Sequence, residues 1–268
     1  MRAAGVLCVF ALPYVARAET LARAELEALF GEGNYLFRQA TERVRTDPDA
    51  ARELYGRAAL RFRRIVEQGD VHNGRLYYNI GNAYFRMEDL GRAILYYRRA
   101  AQYIPDDLNL AQNLKYARRR RLDKIEEREK TKVLKTLFFW HYDLSSRSRV
   151  LLFCVAFVPL WFLAAVRLFR RSVWGDWVLV VLALLAVLLF GSLVVEWAGA
   201  RRERPGVVLS PQVVARKGDS ETYEPSFTEP LHAGTEFVLM QERGSWYQIR
   251  LMDGRRCWVP ARATELVR

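Results

Sequence analysis

Histidine and cysteine are scarce in this chain of 268 residues, with three of each. The histidines, His72, His141 and His232, fall in three different segments, and no His/Cys/carboxylate spacing suits a metal ion. Cys8, Cys154 and Cys257 fall in a leader, an apolar run and a strand-rich region, so no disulfide pair suggests itself. There is no glycine-rich phosphate loop, no Gly-x-Ser-x-Gly and no His-Glu-x-x-His. These absences argue against an enzyme and against a bound cofactor or metal. Charge is abundant: 42 basic against 30 acidic groups leave a formal +12. Half the residues are nevertheless apolar, and the apolar and charged residues are segregated along the chain.

The N-terminus reads as a secretory signal over residues 1–18. Arg2 is the basic start, Ala3 to Leu12 a short apolar core, and Ala16-Arg17-Ala18 a small-x-small site with cleavage between Ala18 and Glu19. Residues 19–107 have helical periodicity. Tyr77, Ile80, Tyr84, Leu90, Ile94 and Tyr97 are bulky and apolar at helical spacing, and Gly81, Ala93 and Ala100 are small enough for two helices to meet closely. Asp89-Leu90-Gly91 supplies the turn, and Pro105 ends the second helix. Tyr77-x2-Ile80-Gly81-x2-Tyr84, Ala93-x3-Tyr97 and Pro105 resemble the tetratricopeptide repeat, a helix–turn–helix unit of about 34 residues that holds partners.

Gly33-Asn34-Tyr35-Leu36-Phe37-Arg38 echoes Gly81-Asn82-Ala83-Tyr84-Phe85-Arg86. A degenerate repeat is therefore expected over about 26–68, and a full one over about 74–107. The two are spaced more widely than one period, which an insertion at Thr41 to Asp49 would explain. A helix from Leu108 to about Lys132 would cap the stack with Leu108, Leu110, Leu114, Ala117 and Leu122. In tetratricopeptide repeats the first helix of each unit lines a concave groove. The resemblance thus implies a protein-binding face made of Asn34, Phe37, Arg38, Tyr78, Asn79, Asn82, Phe85 and Arg86. The asparagines would grip a partner's backbone and the arginines its carboxylates. A structural role, with the asparagines bridging helices, fits the sequence equally.

Residues 108–149 form a capping and basic juxtamembrane segment. Its Arg118 to Arg121 run suits either a solvated helix face or anionic lipid headgroups, and an exported segment disfavours nucleic acid. Leu137-Phe138-Phe139-Trp140-His141-Tyr142 suits a membrane interface. Two runs, 150–169 and 173–197, are each long and apolar enough to cross a bilayer, with Pro159 in the first and Asp176 and Glu196 near the ends of the second. They make a transmembrane hairpin, 150–197, that leaves both flanking regions on one side. Arg167, Arg170 and Arg171 in the turn favour a cytoplasmic turn, but both outer flanks are also basic. The leader decides the orientation. The repeats and the C-terminus are expected in the periplasm, and the hairpin in the inner (cytoplasmic) membrane.

The segment 205–268 changes character. Short runs such as Glu236-Phe237-Val238-Leu239, Trp246-Tyr247-Gln248-Ile249-Arg250 and Arg256-Cys257-Trp258-Val259 alternate with Gly218, Gly234, Gly244 and Gly254. Val213-Val214-Ala215-Arg216-Lys217-Gly218, Leu231-His232-Ala233-Gly234, Gly244-Ser245-Trp246-Tyr247, Asp253-Gly254 and Trp258-Val259 resemble bacterial SH3 domains. That implies a small all-β barrel with Trp246, Tyr247 and Trp258 as candidate contacts for peptide or cell wall, or else as barrel structure. The fold class is thus mixed and multi-domain: an α-helical tetratricopeptide solenoid, a two-helix transmembrane hairpin and an SH3-like barrel.

The whole order, with Leu76 to Tyr84, Ala93 to Ala100 and Asn113-Leu114, resembles the BatE-like family of the Bat (aerotolerance) operon. The resemblance implies an adaptor in an envelope complex with other Bat proteins bearing von Willebrand A-type domains, alongside a MoxR-type ATPase. A sensor acting through the SH3-like region is the alternative.

Overall fold

The computed structural model describes residues 21–125, 144, 146–169, 173–202 and 204–267. The signal site at Ala18 and Glu19, the aromatic stretch 137–142 and the arginines at 170 and 171 lie outside them. Five helices come first: α1 (Arg23–Arg43), α2 (Pro48–Gly69), α3 (Gly74–Arg86), α4 (Leu90–Tyr103) and α5 (Leu108–Arg120). Four of their starts are capped by a side-chain oxygen. Asp47 accepts from Ala50 N, Asn73 from Arg75 N, Asp89 from Arg92 N and Asp107 from Leu110 N. Each such cap contributes about 1 kcal/mol.

The helices pair as α1/α2 and α3/α4, and the pairs stack on one core. A Cβ on Gly81 would lie 2.6 Å from the Tyr97 ring, and one on Gly33 would lie 2.5 Å from the Phe62 ring. Both hairpins therefore close by the same device, an aromatic ring seated on a bare backbone. The extra residues lie around Thr41 to Asp49, inside the first unit as expected, but they do not form a loop. The extra length is helical: α1 runs on from Gly33 to Arg43, whereas α3 runs on from Gly81 only to Arg86. The added turns bury Ala40 and Ala51 against each other's helix, so they lengthen the hairpin without opening a loop.

Leu110, Leu114 and Ala117 of α5 are buried on α4, as a cap requires, but Leu108 and Leu122 are exposed. The helix also stops early. Arg121 is extended (φ −63°, ψ 150°), and the chain continues as coil to Ile125. The helix expected from Leu108 to about Lys132 thus breaks at Arg121, and the part of that expectation beyond Ile125 lies outside the described residues.

Helices α6 (Ser146–Arg167) and α7 (Val173–Arg202) form an antiparallel hairpin. Segments of 21 and 23 residues within them are long and apolar enough to cross a membrane, and most of their side chains face outward. Arg167 bonds Asp176 across the turn at 2.8 Å. At the other end Arg149, buried, donates to Ser192 Oγ at 2.8 Å.

The C-terminal region is a five-stranded antiparallel sheet in the order β6-β5-β4-β1-β7 plus a two-stranded ribbon. The sheet strands are β1 (Arg204–Val208), β4 (Glu236–Arg243), β5 (Trp246–Leu251), β6 (Arg256–Pro260) and β7 (Thr264–Leu266). The ribbon is β2 (Gln212–Val213) with β3 (Leu231–His232). Gly244 (φ 56°) and Gly254 (φ 85°) turn the chain between β4, β5 and β6, where only glycine adopts such angles freely. Alternate residues Phe237, Leu239, Ile249, Leu251, Cys257 and Val259 fill its core. The expected closed barrel is not what forms: among the described residues β6 and β7 remain edges, and an isolated bridge joins Arg216, past β2, to Trp258 of β6.

This sheet does not stand apart from the helices. Val207 and Val267 belong to the same buried cluster as the repeats. A Cβ on Gly91 of α4 would lie 3.0 Å from the Val208 carbonyl oxygen. Backbone meets backbone there.

Candidate functional site

The first helices of the stack, α1, α3 and α5, bound a concave cleft of about 470 Å³. Phe37 comes from α1. Tyr78, Asn82, Phe85 and Arg86 come from α3, Tyr97 from α4, and Asn113 and Tyr116 from α5. Of the residues expected there, Phe37, Tyr78, Asn82, Phe85 and Arg86 line the cleft. Asn34, Arg38 and Asn79 do not.

A polar network crosses its floor. Asn113 Nδ2 donates to Tyr78 OH at 2.9 Å and to Asn82 Oδ1 at 3.1 Å. The Tyr97 hydroxyl donates to the same Oδ1 at 2.8 Å. Burial pushes the Tyr97 hydroxyl well above its ordinary range, so it remains a donor at neutral pH. Asn82 is thus a bridge between α3, α4 and α5, with its carbonyl oxygen committed to two donors. Its amide nitrogen has no partner among the described residues and can still donate to a bound chain.

The walls are aromatic. Phe85 meets Tyr116 edge-on with ring centroids 5.6 Å apart. Arg120 stands 5.8 Å over the Phe85 ring. Arg86 is exposed at the rim. Among the described residues the cleft is lined by no acidic side chain, so it offers rings, amide donors and a cation. Those groups suit an extended peptide with apolar side chains and negative charge. Tyr97, Asn113 and Tyr116 had not been expected. One repeat period of about 34 residues carries Asn82 onto Tyr116, which was the signal available for α5.

The arginine run that ends α5 divides: Arg119 and Arg120 are exposed, whereas Arg118 and Arg121 bond the β module. Glu236, at the start of β4, has 5% of its side chain exposed. It accepts from Arg118 Nε and Nη2, both at 2.7 Å, from Arg98 Nη1 at 2.7 Å and from Arg121 Nη1 at 3.3 Å. Burial by itself would raise the Glu236 carboxyl. The bidentate Arg118 and then Arg98 outweigh it and hold the group below the usual carboxylate range.

Two residues past the run, Asp123 Oδ2 accepts the His232 backbone N–H at 2.7 Å, and its Oδ1 meets His232 Nδ1 at 2.7 Å. The Thr235 hydroxyl donates to Asp123 as well. Here too burial opposes the charge, and the His232 backbone, Thr235 and the His232 ring outweigh it and lower the carboxyl. On α4, Arg99 donates to Glu265 at 2.7 Å and to the Leu266 carbonyl at 3.1 Å.

The aromatic candidates of the sheet behave differently from the cleft. Trp258 is buried, its backbone N–H and carbonyl both bond Arg216 at 2.8 Å, and Arg243 lies 5.2 Å over its ring. Tyr247 packs on the sheet's core and Trp246 is half-buried beside it. Trp258 and Tyr247 serve the module's own packing. Among the described residues, none of the sheet lines the cleft.

Residues 74–107, which span α3 and α4, match the tetratricopeptide repeat family model. No curated protein matches the chain. A helical repeat of this kind is a protein-interaction scaffold and is typically non-catalytic.

Proposed function

We propose that this protein is a membrane-anchored adaptor whose repeat cleft holds a segment of a partner protein. The observation that carries the reading is the cleft itself. It is open, it is lined by rings and amide donors from three successive first helices, and the β module leaves it free. The partner supplies an extended or helical segment with apolar side chains for Phe37, Phe85 and Tyr116 and a carboxylate for Arg86.

Helices α6 and α7 are the anchor. Two crossings return the chain to the side it left, and the repeats and the β module bond each other directly through Glu236 and Asp123, as that arrangement requires. The signal-like leader favours the periplasmic side of the inner membrane for both. The β module resembles a bacterial SH3 domain in the order of its sequence motifs, although its sheet is open. The order of segments resembles BatE-like proteins, so the partners proposed are envelope proteins with von Willebrand A-type domains, in an aerotolerance-related complex.

The test is affinity capture with the full chain from native membranes. Wild type should retain a protein partner that Phe85→Ala with Tyr116→Ala loses while keeping its helical content. Equal capture by both would remove the cleft from the account. A reporter joined to the C-terminus should be active only outside the cytoplasm; activity inside would reverse the orientation.

A further inference from the structure

The last wall of the cleft is the least supported helix of the stack. Helices α1 to α4 pair as two hairpins, whereas α5 packs its buried side chains on α4 and meets α3 through Asn113 and Tyr116, and the described chain leaves helical geometry at Arg121. Thirteen residues with three buried apolar side chains make a marginal helix in water. Its last turn is a cluster of like charges, Arg118, Arg119 and Arg120, with Arg121 next. Cations suit a helix C-terminus, but adjacent guanidiniums repel one another.

The β module supplies what α5 lacks. Glu236 takes Arg118 in a two-pronged bond and Arg121 in a third contact, and ties both to Arg98 of α4. Asp123, immediately beyond, is fixed by three donors from the β3–β4 turn. Gly234 in that turn (φ 92°) brings the module's backbone against α4, where an added Cβ would sit 3.1 Å from Ile94 Cδ1. Helix α5 presents Asn113 and Tyr116 to the cleft, and Arg120 over Phe85.

We infer that the β module is an intramolecular clamp on the cleft: Glu236 is a positioning residue that holds α5, and so the third wall of the partner site, in register with α3. This rests on the cleft being the partner site and adds how that site is kept formed. Coupling of this kind is reciprocal. A segment that fills the cleft and touches Tyr116 tightens the docking of the module, and release of the module weakens the hold on the segment.

Hydrogen exchange of the detergent-solubilised full chain tests the clamp without any ligand. In Glu236→Ala the amides of residues 108–120 should exchange at least tenfold faster, with α1 to α4 and strands β5 and β6 unchanged. Glu236→Gln, which keeps the shape and drops the charge, should show a smaller increase. Glu265→Gln, which breaks an ion pair of the same interface that does not touch α5, should leave α5 protected. Wild-type protection of α5 in Glu236→Ala overturns the proposal. So does a rise shared equally by all helices, which would make Glu236 a general stability residue. A photo-crosslinker at Tyr78 on α3 gives the second readout: its protein adducts should fall at least tenfold in Glu236→Ala. Undiminished adducts alongside a loosened α5 overturn the coupling and leave the cleft standing, whereas no adduct in the wild type sinks the cleft reading and leaves the exchange result intact.

Discussion

Asp123 Oδ2 accepts the backbone N–H of His232 at 2.7 Å across 109 residues of sequence, and the same carboxylate holds the His232 ring. That joins the end of the helical stack to the ribbon of the β module. With Glu236 it makes one buried and one half-buried carboxylate answer four basic groups across one interface: three arginines at Glu236 and a histidine at Asp123.

Acid should undo this interface, and only strong acid. Both carboxyls sit below their ordinary range when folded. The stability they lend is therefore complete above the unfolded value of about 4 and disappears as pH falls through the lower folded values. Thermal unfolding in detergent should show no loss from these groups between pH 8 and about 5, then a steep loss below about 4 that Glu236→Gln blunts. A loss centred near neutral pH would contradict the carboxylate account.

The two glycines under aromatic rings should be intolerant of side chains. Gly81→Ala and Gly33→Ala each force a Cβ into a ring at 2.6 and 2.5 Å, and overpacking of that kind costs about 1–3 kcal/mol. Gly31→Ala, with nothing within 4 Å, is the control. It should stabilise α1 by about 0.5–1 kcal/mol, because glycine is a poor helix interior residue. Denaturant titration checks all three, and equal effects would refute the close-approach argument.

Asn82 should be costly to remove even without a partner. Asn82→Ala strips the acceptor from the Tyr97 hydroxyl, and an unsatisfied buried donor costs about 1–3 kcal/mol. Asn79→Ala, outside the cleft, should stay within about 0.5 kcal/mol of wild type. Chemical denaturation of the two variants decides it. A neutral Asn82→Ala would mean the polar floor is not structural.

Cys257 should be chemically silent. Burial pushes its thiol up to about 12, so almost no thiolate exists at neutral pH. Maleimide should label it only after unfolding; fast labelling of the folded protein would show the sheet's core to be open.

Much of this fold was legible residue by residue. Asp47 with Pro48, Asn73, Asp89 and Asp107 mark helix starts by local chemistry, and Gly244 and Gly254 mark turns that only glycine makes easily. Length and apolarity alone placed the two long apolar helices within a few residues. The clamp was not legible. Arg118 and Glu236 are 118 residues apart, and no local pattern says which carboxylate a run of arginines will meet. The same reason explains why α5 ends at Arg120: the bonds made by Arg121 and Asp123 to β3 and β4 outweigh helical propensity there. In the cleft, the α3 residues were found from the repeat pattern, whereas Asn113 and Tyr116 of α5 needed the stack to be extended by one more period.

Site-specific photo-crosslinking in native membranes addresses the central claim most directly. A photoreactive residue at Tyr116, inside the cleft, should give discrete protein adducts, and one at Leu60, exposed on α2 and outside the cleft, should give none. Adducts from Leu60 with none from Tyr116 would show that the partner docks on another surface and that the cleft is not the binding site.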